Sequence, residues 1–109
     1  MNWNHITDEN DISQIIKKSF QNPQVIFKHS TRCSISSMAK SRLERSFPPD
    51  NTDFNFLDLI KLRNISNFIA EEFNVQHESP QVLLIVNGKC KYHESHNGID
   101  MEEIEKNIS

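Results

Sequence analysis

Glycine is nearly missing from this chain: 2 residues in 109, beside 4 prolines. That excludes collagen-like and Gly/Pro-rich low-complexity classes. With 25% charged and 36% hydrophobic residues, the composition also argues against disorder. Cysteine is equally scarce. Cys33 and Cys90 alone cannot staple a small secreted scaffold, and they lack the paired spacing of a structural zinc site. No run approaches the ~18 apolar residues of a membrane-spanning helix. The first ten residues have neither the basic stretch nor the apolar stretch of a secretory leader, so a cytoplasmic location is expected. Positive charge is not in excess either. Twelve Lys and Arg against fifteen Asp and Glu give a net charge of −3, which disfavours a generic nucleic-acid partner. Among the five histidines only His93-x-x-His96 makes a close pair, and no metal site is expected. The length fits one domain over residues 1–109.

What is present is a clear alternation of apolar periods. Ile12, Ile15, Ile16 and Phe20 recur at helical spacing, with Thr7, Asp8 and Asn10 as candidate caps and Asn22-Pro23 as the stop. Gln24 to His29 reads as a short strand with a β-branched centre. Ile35, Met38, Ala39, Leu43 and Phe47 then form one helical stripe, opposite Ser37, Lys40, Ser41 and Glu44, ended by Pro48-Pro49. Asp53 to Asp58 alternates as a second strand, and Leu62, Ile65, Phe68, Ile69 and Phe73 make another amphipathic helix. Val82 to Val86 is a continuous apolar run, as a strand covered on both faces requires. Asn87-Gly88 supplies a hairpin turn into a last strand, Lys89 to Glu94. Met101, Ile104 and Ile108 mark a final helix.

The order is α-β-α-β-α-β-β-α. A right-handed parallel crossover followed by a hairpin builds one mixed sheet with helices on both faces. The expected class is therefore α/β, a minimal thioredoxin-like arrangement of four strands in the order 2-1-3-4.

In this arrangement the first strand runs through Ser30-Thr31-Arg32 into a helix that begins near Cys33. Unpaired amides and about half a positive charge collect at a helix N-terminus, and both favour thiolate over thiol. Arg32 adds an adjacent cation, and Lys28 stands one strand step back. Residues 24–49 hold five cations against Glu44, a net +4, so the remainder of the chain carries −7. A positive site on an acidic chain suits a reactive cysteine and an anionic ligand. A lone cysteine can equally be a small buried hydrophobe. Spacing alone leaves both readings open.

The segments Phe27-Lys-His-Ser-Thr-Arg-Cys33-Ser-Ile-Ser36, His77-Glu-Ser-Pro-Gln-Val82 and His93-Glu-Ser-His96 resemble the monothiol bacilliredoxin family, the YtxJ-like proteins of bacillithiol-using bacteria. The resemblance spans nearly the whole chain. It departs from the family at Ser34, where proline is common, and that bears on the tuning of the sulfur. It implies a thioredoxin fold and a redox role on bacillithiol mixed disulfides. Cys33 then matches the attacking cysteine, flanked by Arg32 and Ser34. Ser36 stands where a dithiol enzyme keeps its resolving cysteine. The implied activity is a monothiol thiol–disulfide oxidoreductase that takes bacillithiol or a similar low-molecular-weight thiol from protein mixed disulfides. The small thiol is a co-substrate, no tightly bound cofactor is expected, and a further thiol or oxidoreductase clears Cys33.

The resemblance also implies that Ser79-Pro80 is a cis bond opening the third strand beside the reactive sulfur. Ser79, Pro80, Asn97 and Gly98, with Ile99, would line the thiol-ligand site, as the matching loop does in glutaredoxins. His29 and His77 flank the same rim, either tuning Cys33 or lying on the surface. Cys90 follows the far hairpin, on the order of 20 Å away at ~3.3 Å per strand residue, and should not pair with Cys33. Two other readings stand beside the exchanger. One is an iron–sulfur carrier like some monothiol glutaredoxins, although those use Cys-Gly-Phe-Ser where this chain has Cys-Ser-Ile-Ser. The other is a redox-inactive interaction module with Cys33 buried. Neither a nucleic acid nor a membrane is an expected partner.

Overall fold

The computed structural model describes residues 1–108, and Ser109 lies outside them. The chain starts with a short strand β1 (Trp3–His5) and helix α1 (Glu9–Lys18). Strand β2 (Gln24–His29), helix α2 (Ser34–Arg45), strand β3 (Asp53–Asp58) and helix α3 (Arg63–Phe73) follow. Strands β4 (Gln81–Val86) and β5 (Lys89–Ser95) form a hairpin, and a 3-10 turn (His96–Gly98) leads to helix α4 (Met101–Ile108).

The sheet is mixed, with five strands in the order β1-β3-β2-β4-β5, which corrects the expectation of four. The added strand lies at the edge, parallel to β3, with Trp3 opposite Phe54 and His5 opposite Phe56. Its sequence, Trp-Asn-His, has no apolar alternation, because Asn4 and His5 face solvent. It exists through long-range contact: Trp3 stacks on Phe27 at 5.6 Å between ring centroids and meets Phe54 and Phe56 edge-on. Helix α1 begins at Asp8 through a capping box in which Asp8 and Asp11 satisfy each other's backbone amides. Phe20 falls outside that helix and is exposed, so it does not complete the expected stripe.

Alternation along β2 divides the core. Val25 and Phe27 pack with Ala39 and Leu43 of α2 and with Ile99, Met101 and Ile104 near α4. Ile26 packs on the opposite side with Ile12, Ile15, Ile65 and Ile69 of α1 and α3. The stripe expected on α2 is corrected here. Its buried residues are Ser36, Ala39 and Leu43, while Ile35 and Met38 face outward and Phe47, past the helix end, is 95% exposed.

The same alternation places Lys28 on the α1/α3 face, fully buried. Its ammonium donates to the Ser66 carbonyl at 3.2 Å and to His77 Nδ1 at 3.3 Å. Burial lowers its pKa from 10.5 to about 8. Unfolded Lys28 therefore holds its proton more tightly than folded Lys28 between pH 8 and 10.5, and the penalty for burying the charge is complete below pH 8. A Lys28→Met variant should gain up to about 3 kcal/mol over the parent at pH 7, less the value of the two lost hydrogen bonds. That gain should shrink as pH rises toward 10.5. Urea denaturation of both proteins at pH 7 and pH 10 checks it, and a pH-independent difference would refute it.

Candidate functional site

Strand directions decide which loops meet. Strands β2 and β3 are parallel, β4 runs antiparallel to β2, and β5 runs antiparallel to β4. The exit of β2, the entry of β4 and the exit of β5 therefore lie at one end of the sheet. Cys33, Pro80 and His96–Gly98 follow from those three positions, and the His96 amide donates to the Pro80 carbonyl at 3.0 Å.

Cys33 is the N-cap of α2, half-buried, in extended backbone (φ −113°, ψ 121°), and its side chain makes no capping hydrogen bond. The amides of the first turn thus point toward the sulfur's end of the helix without a side-chain acceptor. No acidic residue stands in that turn. The loop before it is tight: the Cys33 amide donates to the Ser30 carbonyl at 3.2 Å. Arg32 and Ser34 are both exposed on either side of Cys33.

Ser36 is not part of the open surface. It is fully buried, and its hydroxyl accepts from the Ser30 amide at 3.0 Å. Its oxygen is 2.7 Å from His29 Nδ1. Burial, then the Lys40 charge, pushes the His29 pKa down, against the opposing pull of Asp58 and Glu44. Neutral His29 can then accept the Ser36 proton at Nδ1. His29 is thus a buried partner of α2 and not a surface rim residue. Lys28, expected as a neighbouring cation, points to the other face of the sheet.

On that other face His77 Nδ1 meets Lys28 Nζ and, at 3.1 Å, Ser66 Oγ. Burial lowers the His77 pKa, assisted by the charges of Lys28 and Arg63. The Ser79-Pro80 bond is cis. Pro80 is buried, and Ser79 Oγ is buried with no hydrogen-bond partner among the described residues. Sequence reasoning passed over Gln81, which holds the approach to Pro80: its amide nitrogen donates to the Gln76 carbonyl at 3.0 Å, and its oxygen accepts from the Glu78 amide at 3.4 Å. A polar residue at the head of an otherwise apolar strand was the available signal.

Asn97 and Gly98 are exposed on the 3-10 turn, and Ile99 is buried beneath it. Arg42 ties the turn to α2 by donating to the Ile99 carbonyl at 3.1 Å and, at 3.5 Å, to that of His96. Glu94 packs so closely that a Cβ on Gly98 would lie 2.6 Å from its carboxyl carbon. Cys90 sits at the hairpin end, opposite Ile85, away from Pro80. Its thiol donates to the Tyr92 carbonyl at 3.3 Å, and burial raises its pKa. Both cysteines are free. Among the described residues no three metal-ligating side chains gather, and no helix is long and apolar enough to cross a membrane.

Two outcomes follow. Ser36→Ala strands a buried amide at Ser30 and removes the partner of His29 Nδ1, so it should cost about 2 kcal/mol in denaturant unfolding; an unchanged midpoint would show that the bond is dispensable. His29 and His77 are held neutral in the fold and protonate more readily in the unfolded chain. Their contribution to stability is present above pH 6.5 and is lost as pH falls below it. Thermal melts should therefore drop between pH 7.5 and 5, with a shallower drop in His77→Gln; parallel curves would count against the assignment.

The family model described as Monothiol bacilliredoxin BrxC matches residues 4–104. A solved thioredoxin-fold protein, proposed to be an oxidoreductase, superposes with a TM-score of 0.82 at 26% identity, covering 97% of this chain and 93% of its own. The oxidised thioredoxin of Plasmodium falciparum aligns at TM-score 0.73 and 16% identity over 99% and 100% of the two chains. The thioredoxin of Malassezia sympodialis does so at 0.71 and 17% over 96% and 86%. The last two establish the thioredoxin-like fold alone. With the family match spanning almost the whole sequence, the chain belongs to the monothiol bacilliredoxin family and so to the thiol oxidoreductases of thioredoxin fold.

Proposed function

We propose that this chain, acting as one thioredoxin-like domain over residues 1–109, is a monothiol enzyme that removes bacillithiol or a similar low-molecular-weight thiol from protein mixed disulfides. The observation that carries the reading is the pairing of one half-buried sulfur, free of any capping bond, with one sealed hydroxyl. Cys33 caps α2 without a side-chain bond, whereas Ser36 is fully buried and committed to Ser30 and His29. A partly exposed, uncapped thiol at a helix start suits attack, and a serine has no sulfur with which to close a second disulfide.

The step balances in sulfur and electrons. The Cys33 thiolate attacks the small-thiol sulfur of protein–S–S–R, a Cys33–S–S–R bond forms, and the protein leaves as thiolate and takes up a proton. A second thiol, either free small thiol or a partner oxidoreductase, then attacks Cys33–S–S–R and restores the thiolate. The small thiol is a co-substrate and no group need be tightly held. Arg32 supplies positive charge beside the reacting sulfur, and Ser34 adds a hydroxyl at the helix start. Ser79, Pro80, Asn97 and Gly98 form the wall against which the small thiol lies. A compartment that keeps thiols reduced, the cytoplasm, is the setting such a cycle requires.

The test is direct. Cys33→Ser should reduce release of protein thiol from a bacillithiolated substrate by about 100-fold or more, and Cys90→Ser should leave it near the parent rate. Intact-mass measurement after turnover without reductant should find one small-thiol adduct, on Cys33. Retained exchange in Cys33→Ser, or an adduct on Cys90, would defeat the proposal.

A further inference from the structure

The outer face of α2 holds a surface that the exchange at Cys33 leaves unused. Because Ser36, Ala39 and Leu43 turn to the sheet, Ile35 and Met38 are left 40% and 59% exposed, one helical turn apart. A cleft of about 390 Å³ runs along this face, lined by Ser37, Met38, Ser41, Arg42 and Arg45. It begins one turn from the reactive end, where the Ser37 amide donates to the Cys33 carbonyl at 3.1 Å.

Its far end is cationic. Glu44, the one acid on the helix, is taken by Lys40 at 2.8 Å and by Trp3 Nε1 at 2.8 Å. Arg45 has no ion-pair partner among the described residues, and Arg42 is oriented by carbonyls without a compensating carboxylate. The loops that Arg42 ties to this face, and the helix after them, are acidic instead. Glu94 lies against Gly98, Glu78 accepts from Ser95 Oγ at 2.7 Å, and Asp100, Glu102 and Glu103 stand at the start of α4. Those acids disfavour an anionic partner, whereas Arg42 and Arg45 favour one on α2.

The geometry points to this cleft as the docking groove for the substrate protein itself: an acidic segment, apolar beside its modified cysteine and carrying carboxylates farther along. This rests on the exchanger reading above and names the partner of the same site. Arg45 is about 18 Å along the helix axis from Cys33. That span is matched by five or so residues of extended chain at ~3.3 Å each and exceeds what one small thiol bridges.

The experiment uses three peptides that differ only in residues four to six from a cysteine, where each carries Glu, Gln or Lys. Each is presented as its 2-mercaptoethanol mixed disulfide, and release of peptide thiol is followed. The parent should prefer the Glu peptide over the Gln peptide by roughly three- to tenfold in kcat/KM at low salt. The preference should fade at 0.5 M salt by roughly the loss that screening imposes. Arg45→Glu, and separately Met38→Asp in the same cleft, should bring the ratio near one. Equal rates for the Glu and Gln peptides, or a preference that survives both variants, would overturn the groove while leaving the exchanger intact. Loss of exchange with every peptide would overturn the exchanger reading as well. A charge preference seen only when the acid is on the small thiol, with mercaptosuccinate in place of 2-mercaptoethanol, would reassign the arginines to a small-thiol subsite and sink the protein groove.

Discussion

The Ser36 hydroxyl stands 2.7 Å from His29 Nδ1 and 3.0 Å from the Ser30 amide nitrogen, in a place without water access. These two bonds fasten the first turn of α2 to the last residue of β2 and so close the loop that carries Cys33. They also set the rotation of the helix. With Ser36 held inward, Ala39 and Leu43 three and seven residues later meet the sheet, and Ile35 and Met38 are carried outward. Alanine or glycine at position 36 would leave donor and acceptor unpaired in the core, which costs more than a hydrogen bond gains. One buried hydroxyl thus fixes both the placement of the sulfur and the face that the helix presents to partners.

The neighbouring residues of β2 show the same end of the sheet being used twice. His29 lies under α2 and Lys28 under α3, one on each face, and burial shifts both toward their neutral forms. A buried ammonium with Ser66 and His77 as its partners is an expensive element in a chain of this size. An apolar residue would pack more cheaply there. Rule-breaking at one end of a sheet, with ordinary apolar packing elsewhere, is the pattern expected of a functional end.

Much of the architecture was legible because long apolar periods survive in any context. The run Val82–Val86, the Asn87-Gly88 turn and the Ile65/Ile69 spacing of α3 announce their elements directly. Strand β1 was not legible, since Trp-Asn-His becomes a strand only when β3 offers its edge and Trp3 finds Phe27. The stripe on α2 misled for a related reason. Counting apolar residues finds Ala39 and Leu43, which are buried, but adds Ile35, Met38 and Phe47, whereas a polar pair, His29 and Ser36, decides which way the helix faces. At the site, Cys33 could be placed at a helix start from the order of elements, and Ser79-Pro80 at the head of β4. The bonds of Gln81 and Arg42, and the seat of Glu94 against Gly98, depend on side-chain meetings across 5, 54 and 57 residues or on close packing, which periodicity does not encode.

A single usable sulfur has a consequence for recognition. Ser36 is sealed, and Cys90 is at the opposite end of the sheet, where burial raises its pKa and favours the thiol. An internal second thiol could end an exchange whatever the partner, so a dithiol protein need hold its substrate only briefly. Without one, the proposed cycle requires two successive visitors at Cys33: the mixed disulfide that delivers the small thiol and the thiol that removes it. Such visitors compete for one position, and the surface around the sulfur must sort them. Segregated charge does this cheaply, because it changes encounter rates without lengthening residence. The face of α2 carries the cations Arg42 and Arg45 beside Met38, whereas Glu94 against Gly98 and Glu102 and Glu103 in the first turn of α4 are acidic. On the proposed reading, a substrate protein that docks along α2 would leave the acidic side open to the thiol that completes the exchange.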